Sequence, residues 1–125
     1  NKGLDESRLL STLKRQKIDM ICLAGFMKIL TKNFIKRFKG KILNIHPSLL
    51  PKYKGLNTHQ RALKNNEKYS GCTVHFVNSK LDSGKIIIQK KIKISKNDTK
   101  VSLARKILTQ EHKIYPKAIL KVFNL

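Results

Sequence analysis

Asn44, His46 and Ser48 stand at alternate positions in Asn44-Ile-His-Pro-Ser48, and their residue types could do chemistry. An imidazole titrates near neutrality, so His46 can give or take a proton. The amide NH2 of Asn44 can hydrogen-bond an oxygen on which negative charge develops. Asn44 and His46 follow the apolar pair Ile42-Leu43, which puts them at the C-terminal mouth of an expected strand. Pro47, Pro51 and Gly55 then stop the backbone from continuing as strand or helix. In open α/β sheets, ligands bind in the crevice outside the carboxyl ends of the strands. Asp82, in the turn Leu81-Asp-Ser-Gly84, supplies a carboxylate. Taken alone it is an ordinary turn residue. Brought to His46 across neighbouring strand ends, it would favour the charged imidazole.

The elements that must position these groups are legible in the spacing. Asp5 can cap a helix reaching about Gln16, and Asp19 to Phe26 is an apolar run expected as a strand buried on both sides. Thr31 caps a short helix, Lys32 to Phe38, that Gly40 ends before the strand Lys41 to Ile45. A helix is expected over Thr58 to Asn66. Gly71 to Val77 alternates, with Thr73, His75 and Val77 on one face and Cys72, Val74 and Phe76 on the other. Lys85 to Ile94 reads as an edge strand studded with lysine. A last helix, capped by Asp98 or Thr99, runs towards His112, and Pro116 starts or kinks a further helical segment. The pattern gives an α/β sheet, parallel at first and mixed later. A sheet begun at Asp19 would have further strands before it, so the chain reads as the C-terminal portion of a longer single domain.

The bulk numbers exclude several classes. The 125 residues, 40% of them hydrophobic, suit one globular domain, and the longest apolar runs are far too short to span a bilayer. Cys22 and Cys72 fit buried, reduced thiols in a cytoplasmic protein. The net charge of +21 invites a basic nucleic-acid-binding module, but the lysines are spread evenly and lack interleaved aromatics, so compositional drift is the preferred account. The four histidines have no zinc spacing with one another or with the cysteines, so no metal is expected. No G-x-G-x-x-G, P-loop or nucleophile elbow occurs. His59 and His112 sit inside helical patterns as structural or surface groups. His75, within a strand, is either a satisfied core imidazole or a support for the site, as is Ser48 in the central loop.

Read together and in order, Leu23-Ala-Gly-Phe-Met-Lys-Ile-Leu30, Leu43-Asn-Ile-His-Pro-Ser-Leu-Leu-Pro51, Gly55-Leu-Asn-Thr-His59, Gly71-Cys-Thr-Val-His-Phe-Val77, Leu81-Asp-Ser-Gly84 and Glu111-His-Lys-Ile-Tyr-Pro116 resemble the phosphoribosylglycinamide formyltransferase family. The resemblance implies a Rossmann-like formyltransferase fold, mostly parallel, with flanking helices. It implies transfer of the formyl group of 10-formyltetrahydrofolate to the amine of glycinamide ribonucleotide in purine biosynthesis. The matching catalytic set is His46 as proton donor, Asn44 as oxyanion donor and Asp82 holding the imidazole charged. The folate pocket would use Asn44, backbone groups of Met27, Lys28, Ile29 and Leu30, and the turn Asn78, Ser79, Lys80, Leu81 and Asp82, with Ile35 and Ile42 as apolar lining. Glu111 matches a position that binds the ribonucleotide. The partners implied are these small molecules and the missing N-terminal half of the domain, which holds the phosphate loop; a membrane is not among them.

Departures are few. Lys28 replaces an arginine, keeping charge without the planar fork, and Lys85 stands where the family often has proline. A formyltetrahydrofolate hydrolase would carry a second histidine at Pro47. A methionyl-tRNA formyltransferase would have a different loop after Pro51 and an added C-terminal domain.

Overall fold

The structure, a computed structural model, describes residues 5–25 and 29–124. The elements are α1 (Glu6–Arg15), β1 (Met20–Ala24), α2 (Lys32–Arg37), β2 (Lys41–His46), α3 (Thr58–Lys64), β3 (Tyr69–Phe76), β4 (Ile86–Lys93) and α4 (Lys100–Phe123). The strands form one sheet in chain order. β1 and β2 are parallel, while β2–β3 and β3–β4 are antiparallel. One parallel pairing comes first and two antiparallel pairings follow, which makes the sheet mixed as the sequence suggests.

Side-chain alternation along β2 decides where everything else goes. Leu43 and Ile45 face α4, where they pack with Cys72, Val74, Leu103, Ile107 and Ala118. Ile42 faces the other way, into a second core with Leu10, Leu30, Phe34 and Phe38 under α1 and α2. Each such buried aliphatic side chain contributes about 1.5–3 kcal/mol. Asn44 and His46 share the parity of Ile42 and so emerge on its face, towards the strand's carboxyl end. On β3 the predicted parity holds too, since Cys72 and Val74 join the α4 core and His75 does not.

The caps explain where helices begin. The Asp5 carboxylate accepts from Arg8 N at 3.1 Å, and the Thr31 hydroxyl accepts from Phe34 N at 3.1 Å. Thr99 and Ser102 close a reciprocal capping box at the start of α4. Four readings change. β1 is only partly buried, since among the described residues it pairs with β2 alone, and Cys22 on it is exposed. Only Cys72 is a buried thiol, with burial pushing its pKa up to about 12. α4 runs through Pro116 as one helix. Ile35 and Ile42 are taken up by the second core and line no cavity near Asn44.

Candidate active site

The register sets the site. Asn44 pairs with His75 and His46 with Thr73 across the antiparallel β2–β3 ladder. His46 is the last residue of β2, and the loop after it folds back under a set of side-chain bonds. Ser48 Oγ donates to the Lys52 carbonyl at 2.6 Å. Thr73 Oγ1 donates to the Ser48 carbonyl at 2.7 Å and accepts from Leu50 N at 3.2 Å. Gln89, reaching over from β4, donates to Thr73 Oγ1 at 3.0 Å and to the Leu50 carbonyl at 2.7 Å. The Tyr53 hydroxyl donates to Glu67 at 2.6 Å, which raises the phenol pKa and lowers that of the carboxyl. Ser48 therefore fixes the loop, its N–H also donating to the His46 carbonyl at 2.9 Å.

The loop delivers two backbone groups to the centre. His46 Nε2 lies 2.8 Å from the Tyr53 carbonyl. A carbonyl only accepts, so Nε2 carries the hydrogen and Nδ1 is the nitrogen that gains or loses a proton. Nδ1 faces Asp82 Oδ2 at 3.5 Å, with both side chains buried. Gly55 N donates to the same Oδ2 at 2.9 Å. Asp82 itself has a left-handed backbone, φ 45°, as do Tyr53 at 55° and Asn57 at 56°. Such conformations are uncommon for residues other than glycine, and two of them, at Tyr53 and Asp82, supply groups to this site.

His75 approaches the carboxylate from the other side, its Nε2 3.9 Å from Asp82 Oδ1. Its Nδ1 donates to the Phe76 carbonyl at 2.9 Å. Burial lowers the His75 pKa despite that bond and the carboxylate, so the ring is held neutral and Nε2 is a lone-pair acceptor. Among the described residues, neither Nε2 of His75 nor Oδ1 of Asn44, both buried, has a hydrogen-bond partner. Both residues line a cavity of about 30 Å³ with Asp82, Asn78, Lys80 and Leu81 on one side and Leu23, Ile29 and Leu30 on the other.

The structure thus brings Asn44, His46, Asp82 and His75 together, with Ile29, Leu30, Asn78, Lys80 and Leu81 around them. Ser79 is in the same turn but outside the cavity lining. Met27 and Lys28 lie outside the described residues. Glu111 is not brought to this cavity. It sits half-buried on α4, where burial raises its carboxyl pKa, and its charge acts on Cys72 on the opposite face of the sheet. Sequence reasoning missed the Tyr53 carbonyl and the Gly55 N–H, because backbone groups carry no residue signature. It also missed Tyr115, whose hydroxyl reaches the Leu23 carbonyl at 2.7 Å and the Leu43 carbonyl at 3.2 Å, tying α4 to the strand ends. The signal for Tyr115 was its place in the Glu111–Pro116 motif.

The profile of formyl transferases matches residues 1–119. The chain belongs to the formyl transferase family. It is 51% identical over 107 residues to phosphoribosylglycinamide formyltransferase of Haemophilus influenzae, covering 86% of this chain and 50% of that protein. It is 47% identical over 107 residues to the trifunctional purine biosynthetic protein adenosine-3 of Homo sapiens, covering 86% of this chain and 11% of that protein. The crystal structure of phosphoribosylglycinamide formyltransferase from Anaplasma phagocytophilum superposes with a TM-score of 0.88 at 46% identity, over 94% of this chain and 56% of that one. The Brucella melitensis structure gives a TM-score of 0.86 at 47% identity, over 94% and 60%. This formyl transferase chain therefore spans about half the length of its single-activity relatives and about a tenth of the trifunctional one.

Proposed function

We propose that the chain forms the reaction centre of an enzyme moving the formyl group of 10-formyltetrahydrofolate to the amine of glycinamide ribonucleotide. The observation that carries this reading is the buried His46–Asp82 pair at a strand end, beside an Asn44 that opens into the same cavity. The attacking amine nitrogen forms a bond to the formyl carbon, and the carbonyl electron pair moves onto oxygen. The Asn44 amide and a protonated His46 Nδ1 stabilise that oxyanion. Collapse of the tetrahedral intermediate re-forms the carbonyl and breaks the bond to the folate nitrogen, which takes its proton from His46 Nδ1. The attacking nitrogen, cationic since it bonded to carbon, gives up one proton to the vacated Nδ1, leaving the neutral formamide and a recharged imidazole. The Asp82 carboxylate places a countercharge 3.5 Å from Nδ1, and the Gly55 N–H, donating to Oδ2 at 2.9 Å, holds that carboxylate in place.

The folate rests on the apolar wall of Leu23, Ile29 and Leu30, against the turn Asn78–Asp82. Glu111 keeps the role of a ribonucleotide ligand as part of this proposal, at the far side of the strand ends. The part of its relatives that this chain does not span supplies the rest of the nucleotide site. The test is a graft in which this chain replaces the matching segment of the Haemophilus influenzae relative. Offered glycinamide ribonucleotide, water and methionyl-tRNA together, the graft is expected to formylate the ribonucleotide. Preferential hydrolysis, or formylation of the tRNA, would overturn the assignment.

A further inference from the structure

A cavity of about 740 Å³ lies between α1 and α2, a volume typical of small-molecule sites. Its floor is apolar, made of Leu10 and Phe38, both buried, with Leu13 and Ile18 beside them. Its rim carries Lys14, Lys17, Lys36, Arg37 and Lys39. Five of the twelve lining residues are basic, against 28 of 125 in the chain, so the rim is about twice as rich in cations as the molecule. Asp19 is the one acid in the lining. Among the described residues, none of the five cations forms an ion pair. Lys14, Lys36 and Arg37 stand in the last turns of α1 and α2 and offset the helix dipoles there. Lys17 and Lys39 lie past both helix ends, where no such account applies. Cations gathered around a concave apolar surface repel one another and raise the local concentration of anions.

We propose that this groove is a second ligand site, for a small organic anion whose apolar body rests on Leu10 and Phe38 while its charge meets the lysine rim. The groove is separate from the His46 centre. Asp19 immediately precedes β1, and His46 ends β2, which runs parallel to β1, so the two lie at opposite ends of the sheet. A ligand here would not compete with the proposed formyl donor.

The test uses 8-anilinonaphthalene-1-sulfonate, an apolar anion that fluoresces when bound, titrated into the 125-residue chain. The expected result is saturable binding of one equivalent. The Lys17→Glu/Lys39→Glu double variant should bind at least tenfold more weakly. A Lys96→Glu/Lys113→Glu control, with the same change in net charge elsewhere on the surface, should keep its affinity. The neutral analogue N-phenyl-1-naphthylamine should also bind at least tenfold more weakly. All four substituted lysines are exposed, so far-ultraviolet circular dichroism should be unchanged in both variants. Equal loss in the two double variants would mean that only net charge matters. Equal binding by the neutral analogue would mean that only the apolar floor matters. Either result overturns the proposal.

Discussion

The hydrogen on His46 is placed by its neighbours. With Nε2 committed to the Tyr53 carbonyl, Nδ1 beside Asp82 is the position where charge appears and disappears. Replacing Asp82 by Asn keeps the Gly55 bond, since an amide oxygen still accepts, but removes the countercharge. We expect Asp82→Asn in the graft to lower kcat by about 10²-fold or more, the usual worth of a positioned proton donor, with little change in Tm. A comparable fall in both would assign Asp82 to folding instead. Tyr115 is the opposite case, since its hydroxyl touches strand carbonyls. Tyr115→Phe should cost about 1 kcal/mol in a urea titration, the net worth of a buried hydrogen bond. No measurable loss would show that those carbonyls find other partners.

At the scale of elements, α4 depends on how it starts. The Thr99–Ser102 box satisfies two backbone N–H groups, so Thr99→Ala should destabilise by about 1 kcal/mol. Asp98, next to it, accepts from Lys106, from Ser95 N and from the Ser102 hydroxyl, which together lower its pKa from 3.8 to about 2, Lys106 contributing most. A depressed folded-state pKa gives stability that is present above the unfolded value and lost as pH falls. Acid unfolding should therefore steepen between about pH 4 and pH 2, and Asp98→Asn should flatten that limb. An unaltered acid limb in the variant would remove Asp98 from the account.

Across the whole molecule, the order of elements and the parity of β2 and β3 were readable because alternation and capping are local. Alternation likewise put Asn44 and His46 side by side at a strand end, whereas Asp82, an ordinary turn residue by its surroundings, joined them through the family resemblance. The packing of Ile35 and Ile42 was not readable, since their apolarity fits a ligand wall and a core equally well. The exposure of Cys22 depended on β1 having β2 as its one partner among the described residues, a fact of sheet order. The bonds from Tyr53 and Gly55 depended on how the loop of residues 47–57 closes, which residue types do not encode.

The most direct measurement of the central claim is the rate of formyl transfer to glycinamide ribonucleotide by the graft and by its His46→Asn variant, at equal folded concentration. The account predicts a fall of about 10²–10⁴-fold for the variant, the range for removing a general acid. Turnover within a few-fold of the unsubstituted graft would contradict it, and the buried imidazole at the end of β2 would then be structural.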